Sequence, residues 1–225
     1  MSLPPETPGA PLFWRSRVED MKCILDQLDA IEAAVPEVKG RLDPSRIAVV
    51  GHSMGGQTAG MLLGAQLTDE DGARVNLADA RVKAGVLLTP PGDGGADLSA
   101  AAFERHPFFR SPSFAEMTTP ALVVVGDKDI NPNLTVRGAD WTSDAYFLST
   151  GPKCLVTISG GTHGLGGVSG YDAAETTDES PERVATVQRL TLAYLRTTLY
   201  PEDAAWSAAS AALASLTELG RLECK

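Results

Sequence analysis

The sequence predicts a single α/β domain in which a mostly parallel sheet lies between two layers of helices. Three observations predict it. Short apolar runs rich in β-branched residues recur at Ile47 to Val50, Val82 to Leu88, Ala121 to Val125 and Cys154 to Ile158. Near-continuous apolarity is what a strand buried on both faces requires. Segments with helical spacing lie between these runs, and strands alternating with helices imply parallel pairing through right-handed crossovers. Finally, 225 residues can bury one sizeable core, and 43% hydrophobic with 21% charged residues places the chain in the globular range, away from disorder. No internal repeat breaks the pattern, so residues 1–225 read as one domain.

Residues 4–11 hold four prolines and no periodicity, which reads as an irregular lead-in. Trp14, Val18, Met21, Leu25, Leu28 and Val35 then recur at helical steps, forming one stripe of a helix that Pro36 and Gly40 end. Ile47 to Val50 is the first strand. Gly55 to Leu67, with its small residues and Leu62 and Leu63, is the helix after it. Pro90 to Gly95 is rich in Gly and Pro, and Phe103, Phe108, Phe109 and Phe114 follow it, so residues 90–118 read as a loop or small cap above the sheet. Arg183 to Leu199 reads as a helix with Pro181 just before its start. The Ala-rich run Pro201 to Ala214 makes residues 201–225 a helical tail.

The formal net charge of -10 argues against a nucleic-acid partner and against anionic membranes, because both need clustered Lys and Arg. No stretch reaches the roughly 20 apolar residues of a membrane helix. Cys23, Cys154 and Cys224 are too few and too scattered for a disulfide framework, and none has zinc-site spacing, so a reduced, cytoplasmic setting is the simpler expectation. No secretory signal is visible at the start of the sequence.

Gly51-His52-Ser53-Met54-Gly55 matches G-x-S-x-G, directly after one apolar run and directly before a helix. Such a sharp turn lifts the serine hydroxyl clear of the sheet, and the flanking glycines are expected to avoid collisions with nearby backbone. The following helix aims its positive end at the same place, where the Met54 backbone N–H can donate to a developing oxyanion. A serine hydroxyl is a poor nucleophile unless a base takes its proton, so a histidine and an orienting carboxylate should follow. Ala121 to Val125 runs into Gly126-Asp127-Lys128-Asp129, and Cys154 to Ile158 runs into Ser159-Gly160-Gly161-Thr162-His163-Gly164. Three strands thus deliver Ser53, an aspartate and His163 at their carboxyl ends, where ligand sites gather in open α/β sheets. One of Asp127 and Asp129 is a turn residue. Asp129 lies further beyond the strand and is expected to be the acid. His52 and His106 are poorer candidates for the base, His106 belonging with the aromatic cap.

These residues resemble the α/β-hydrolase superfamily. The runs Arg46 to Gly56, Val124 to Asp129 and Gly160 to Gly164, with the lead-in Phe13 to Asp20, are most similar to its chlorophyllase-like and dienelactone-hydrolase-like members. The resemblance implies a three-layer α/β-hydrolase fold and cleavage of carboxylic esters through an acyl-enzyme, with no metal or organic cofactor. It carries the nucleophile onto Ser53, the base onto His163, the acid onto Asp129 and one oxyanion donor onto the Met54 N–H.

The chain departs from that pattern at one place. Members of the family carry about four strands ahead of the nucleophile strand, and a loop among them supplies a second oxyanion donor. Here one helix and the proline-rich lead-in precede Ile47, so the N-terminal strands are missing. Losing one donor typically costs about 3 kcal/mol of transition-state stabilisation. The nucleophile strand is therefore expected at a sheet edge, covered by another polypeptide or by a second copy in a homo-oligomer. A chain shortened from a longer one, with Met1-Ser2-Leu3 a cloning remnant, accounts for the same gap.

The substrate is expected to be a small ester with an apolar acyl or alcohol group. His52, Phe108 and Trp141 are the candidate pocket residues, and a net-negative protein disfavours anionic substrates. A related lactone-opening or acyl-transfer enzyme would use the same triad. A non-catalytic, partner-completed binding module would keep the turn without the reactivity. A neutral His163 as base implies activity that falls below about pH 6.5.

Overall fold

The stripe that begins at Trp14 folds as two helices, α1 (Phe13–Asp26) and α2 (Leu28–Ala34), in the computed structural model, which describes residues 13–69, 71–173 and 176–225. The proline-rich lead-in and Met1-Ser2-Leu3 lie outside the described residues. The break falls at Gln27, whose N–H is shared between the Cys23 and Ile24 carbonyls. Only the first half of the stripe is buried, through Trp14 and Val18, and α2 buries no residue, so no packing force holds the two helices in line.

The first apolar run becomes β1 (Ile47–His52), followed by α3 (Met54–Leu62). The expected helix to Leu67 stops early because Gly64 turns the chain with φ +113, and a Cβ there would lie 2.4 Å from the Glu116 carbonyl oxygen. Leu67 instead belongs to a short antiparallel hairpin of β2 (Gln66–Thr68) and β3 (Arg74–Asn76). Then come β4 (Val82–Leu88), α4 (Ala100–Arg105) and β5 (Ala121–Gly126). The short α5 (Asp144–Phe147) leads to β6 (Lys153–Ile158). The chain closes with α6 (Pro181–Leu199), α7 (Ala205–Ala214) and β7 (Gly220–Cys224). The 90–118 segment holds α4 and short turns of 3₁₀ helix, as suits a small cap. The tail is helical only in part, since β7 returns to the sheet.

The main sheet runs β1-β4-β5-β6-β7, parallel except for β7, which lies antiparallel on β6. Alternation along β5 shows why its residues are all apolar. Val123 and Val125 face Trp14, Val18, Met61 and Leu62, beneath α1 and α3. Leu122 and Val124 face Val187, Leu190 and Tyr194 of α6 and Leu213 of α7. The result is the three-layer α/β architecture, with a hydrophobic core on each face. Among the described residues β1 has β4 as its single strand neighbour, the expected sheet edge, and Val50 on it is 51% exposed.

The cysteine expectation is overturned. Cys154 and Cys224 sit opposite one another in the β6–β7 register and form a disulfide, with 4.1 Å between their Cα atoms. Separation of 70 residues hid a pairing that only the antiparallel return of β7 creates. The argument from scattered cysteines to a reduced compartment falls with it. No helix among the described residues is long and apolar enough to cross a membrane.

Candidate active site

Ser53 occupies the turn between β1 and α3 with φ 55 and ψ −121, a backbone conformation that costs free energy for a non-glycine residue and is held by its surroundings. Its N–H donates to the Leu88 carbonyl at the end of β4, 2.9 Å away. Gly51 is required for the tightness of the turn: a Cβ there would lie 2.0 Å from the Gly55 carbonyl oxygen. Gly55, by contrast, faces open space. The crowded second position is Gly56, whose Cβ would meet the Gly51 oxygen and Pro90 at 3.2 Å. Met54 is the first residue of α3, so its N–H is one of the donors that no carbonyl of the helix can satisfy.

The structure brings Ser53, His163 and Asp129 together. Ser53 Oγ lies 2.8 Å from His163 Nε2. On the other side of the ring, Nδ1 lies 3.1 Å and 3.2 Å from the two Asp129 oxygens. With Nδ1–H donating to the carboxylate, Nε2 is left as the acceptor for the serine hydroxyl. Asp129 is buried and His163 half-buried, an arrangement that shields the carboxylate and leaves the imidazole reachable. Asp127 is the turn residue: its Oδ1 accepts the Gly160 N–H at 2.7 Å and so ties the acid loop to the histidine loop. The two loops touch closely at Gly126, where a Cβ would lie 2.1 Å from the Gly161 oxygen.

Of the three strands that lead to these residues, β5 and β6 are neighbours, whereas β4 lies between β1 and β5. Just past the end of β4 stands Thr89, buried with φ 43, whose Oγ1 donates to the His163 carbonyl at 3.3 Å. Asp178 holds the next residue back, accepting from the Thr162 N–H at 3.0 Å and from its hydroxyl at 2.7 Å. Nothing in the sequence marks Thr89 or Asp178, since a Thr before Pro-Pro and an Asp in an irregular loop carry no spacing signal.

A small pocket opens beside Ser53 and His163, walled by Thr89, Pro91, Leu134, Trp141 and Thr142. Trp141 stands there as expected, its indole N–H donating to the Asp93 carbonyl at 2.8 Å. Phe108 does not. It packs between Trp14 and Phe109 as part of the core, because the cap folds its rings inward. His52 is also turned from the pocket, towards the backbone of the histidine loop, with Nε2 2.7 Å from the His163 carbonyl oxygen. His106 lies against Phe108 and Phe109 in the cap, where burial holds its imidazole below the ordinary value.

Near this pocket Arg137 bonds to Asp97, Asp140 and Asp144 at once. Burial alone would depress its guanidinium, but the bonds to Asp140, Asp97 and Asp144 outweigh it and raise it. Burial likewise lifts the Asp144 carboxyl above its usual range, against the bonds from the Asp93 N–H and Arg137. One cation among three carboxylates leaves this side of the site acidic. Among the described residues no group of three or more His, Cys, Asp or Glu side chains is arranged to hold a metal ion.

No family model matches the chain, and no curated protein matches it. Solved structures do. A puromycin hydrolase S511A mutant complexed with PGG is 18% identical, with a TM-score of 0.43, over 77% of this chain and 25% of that one. A second puromycin hydrolase structure is 19% identical, with a TM-score of 0.44, over 75% and 24%. A Mycobacterium tuberculosis puromycin-hydrolyzing peptidase is 17% identical, with a TM-score of 0.46, over 78% and 25%. The chain spans about a quarter of the length of these structures. Likeness this distant leaves the functional reading to the geometry of the Ser53–His163–Asp129 site itself.

Proposed function

We propose that the chain is a serine hydrolase that cleaves carboxylic esters through an acyl-enzyme. The unbroken line of contacts from Ser53 Oγ through the His163 ring to Asp129 carries this reading. Ser53 Oγ attacks the ester carbonyl while its proton passes to His163 Nε2, and Asp129 steadies the imidazolium through Nδ1–H. The carbonyl oxygen gathers negative charge facing the Met54 N–H. Collapse of the tetrahedral adduct breaks the bond to the alcohol oxygen, which takes the proton back from Nε2. Water then repeats the sequence on the acyl-serine and releases the acid.

Pro91, Leu134 and Trp141 suit an apolar acyl or alcohol group, and the acidic surroundings of Arg137 disfavour an anionic one. The narrower likeness to chlorophyllase-like and dienelactone-hydrolase-like enzymes rests on the motif residues. A lactone-opening or acyl-transfer reaction would use the same three side chains and differ in the group that accepts the acyl. A second reading, a site completed by a partner chain or a second copy, draws support from the one-sided position of β1.

A fluorophosphonate probe and a panel of nitrophenyl esters of rising chain length, with one peptide anilide, test the proposal. Labelling and turnover that vanish in Ser53→Ala support it. Absence of labelling in the wild type favours the partner-completed module, and faster turnover of the anilide than of every ester removes the ester assignment.

A further inference from the structure

The histidine loop is rich in glycine, and Gly160, Gly166 and Gly167 all take positive φ, so its own backbone does little to hold the base in place. External contacts must do so. Asp127 holds Gly160 and Asp178 holds Thr162. At His163 itself the main-chain carbonyl faces two donors, His52 Nε2 at 2.7 Å and Thr89 Oγ1 at 3.3 Å. A carbonyl oxygen can only accept, so Nε2 of His52 carries a proton. In the neutral ring that leaves Nδ1 to accept from Ser169 Oγ, 3.3 Å away. The two imidazoles also lie against each other, centroids 5.0 Å apart. His52 ends β1 and Ser53 follows it on the turn, so one dipeptide grips the base twice, through its ring and through its main chain.

We propose that His52 is a positioning residue for the reaction, donating from Nε2 to the His163 carbonyl so that the imidazole meets Ser53 and Asp129 together. This rests on the Ser53–His163–Asp129 reading. The role explains why a ring as long as imidazole stands beside the nucleophile and yet turns from the pocket: the His163 carbonyl lies across β4 and β5 from β1, and a shorter donor there would not span the gap. Thr89, just past the end of the intervening β4, reaches the same carbonyl with a longer contact.

The test compares His52→Leu, His52→Gln and Thr89→Val with wild type, by fluorophosphonate labelling rate and nitrophenyl-ester kinetics. His52→Leu keeps bulk and removes the donor, and it should lower kcat by about 10- to 100-fold with KM little changed, the scale of a small misplacement of a catalytic group. His52→Gln, whose amide can donate to the same carbonyl, should recover most of the loss. Thr89→Val should cost less alone and more than additively with His52→Leu. In the wild type, long-range nitrogen-15 spectra should show His52 protonated at Nε2 and His163 protonated at Nδ1. Labelling of His52→Leu at the wild-type rate, or equal loss in Leu and Gln variants with unchanged melting temperature, overturns the inference. If Ser53→Ala still labels, the triad reading itself has failed, which is a distinct result.

Discussion

The two aspartates that follow β5 show how much chemistry can separate residues two positions apart. Asp129 faces His163 Nδ1, while Asp127 is spent on the Gly160 N–H. Asp129→Asn should therefore lower kcat by about four orders of magnitude with little change in melting temperature, because it disturbs the tautomer and spares the fold. Asp127→Ala should do the opposite, leaving the Gly160 N–H without its acceptor and losing about 1–2 kcal/mol of stability, read from urea unfolding, while keeping most of the turnover. That Ser53, His163 and Asp129 meet was legible in the sequence because each sits just past an apolar run, at an end of the sheet where loops converge. His52 was legible only as a histidine. Its partner is a backbone carbonyl more than a hundred residues away, and no periodicity or motif encodes a contact to main chain. Phe108 was misread for a related reason, since aromatic content in a cap does not say whether the rings point to substrate or to Trp14.

Among the elements, the runs read as parallel strands were recovered almost to the residue, since a strand apolar on both faces leaves a plain signal. The hairpin of β2 and β3 was not, being short and partly exposed, and β7 was lost inside what reads as a helical tail. The turn after β1 corrects a simpler idea of the G-x-S-x-G pattern. Gly51→Ala should lower the melting temperature by several degrees and abolish labelling, because its Cβ has no room beside the Gly55 oxygen. Gly55→Ala should fold at least as well as wild type, gaining about 0.5–1 kcal/mol as a helical position relieved of glycine. The start of β6 carries another test. Lys153 is buried with its Nζ donating to the Met117, Thr119 and Thr150 carbonyls. Burial, helped by the charge of Lys225, pushes it down to about 8. Between about 8 and the ordinary 10.5 the unfolded chain holds the proton that the folded one has lost, so stability from this group rises with pH across that window. Urea midpoints on either side of it should show the rise in wild type and a flatter response in Lys153→Met.

For the molecule as a whole, the two ends of the sheet are built differently. At one end β7 is bonded to β6 and stapled to it by Cys154–Cys224, closing a loop of 70 residues that contains the histidine and α6. Reduction, or Cys154→Ser with Cys224→Ser, should cost roughly 2–4 kcal/mol and lower the melting temperature, with the triad geometry and probe labelling retained below it. At the other end stands β1, with Ser53 just past its tip and, among the described residues, a strand on one side only. Backbone groups alternate along a strand, and the Ser53 N–H already points to β4, so the Val49 and Gly51 amides point the same way and the Val50 amide points outward. Deuterium uptake along β1 should accordingly read as a comb, with fast exchange at Val50 between slow neighbours. Another chain docking along this rim would fill the missing tooth, and the uptake pattern would then show the solvent boundary shifted outward without any need to identify the newcomer.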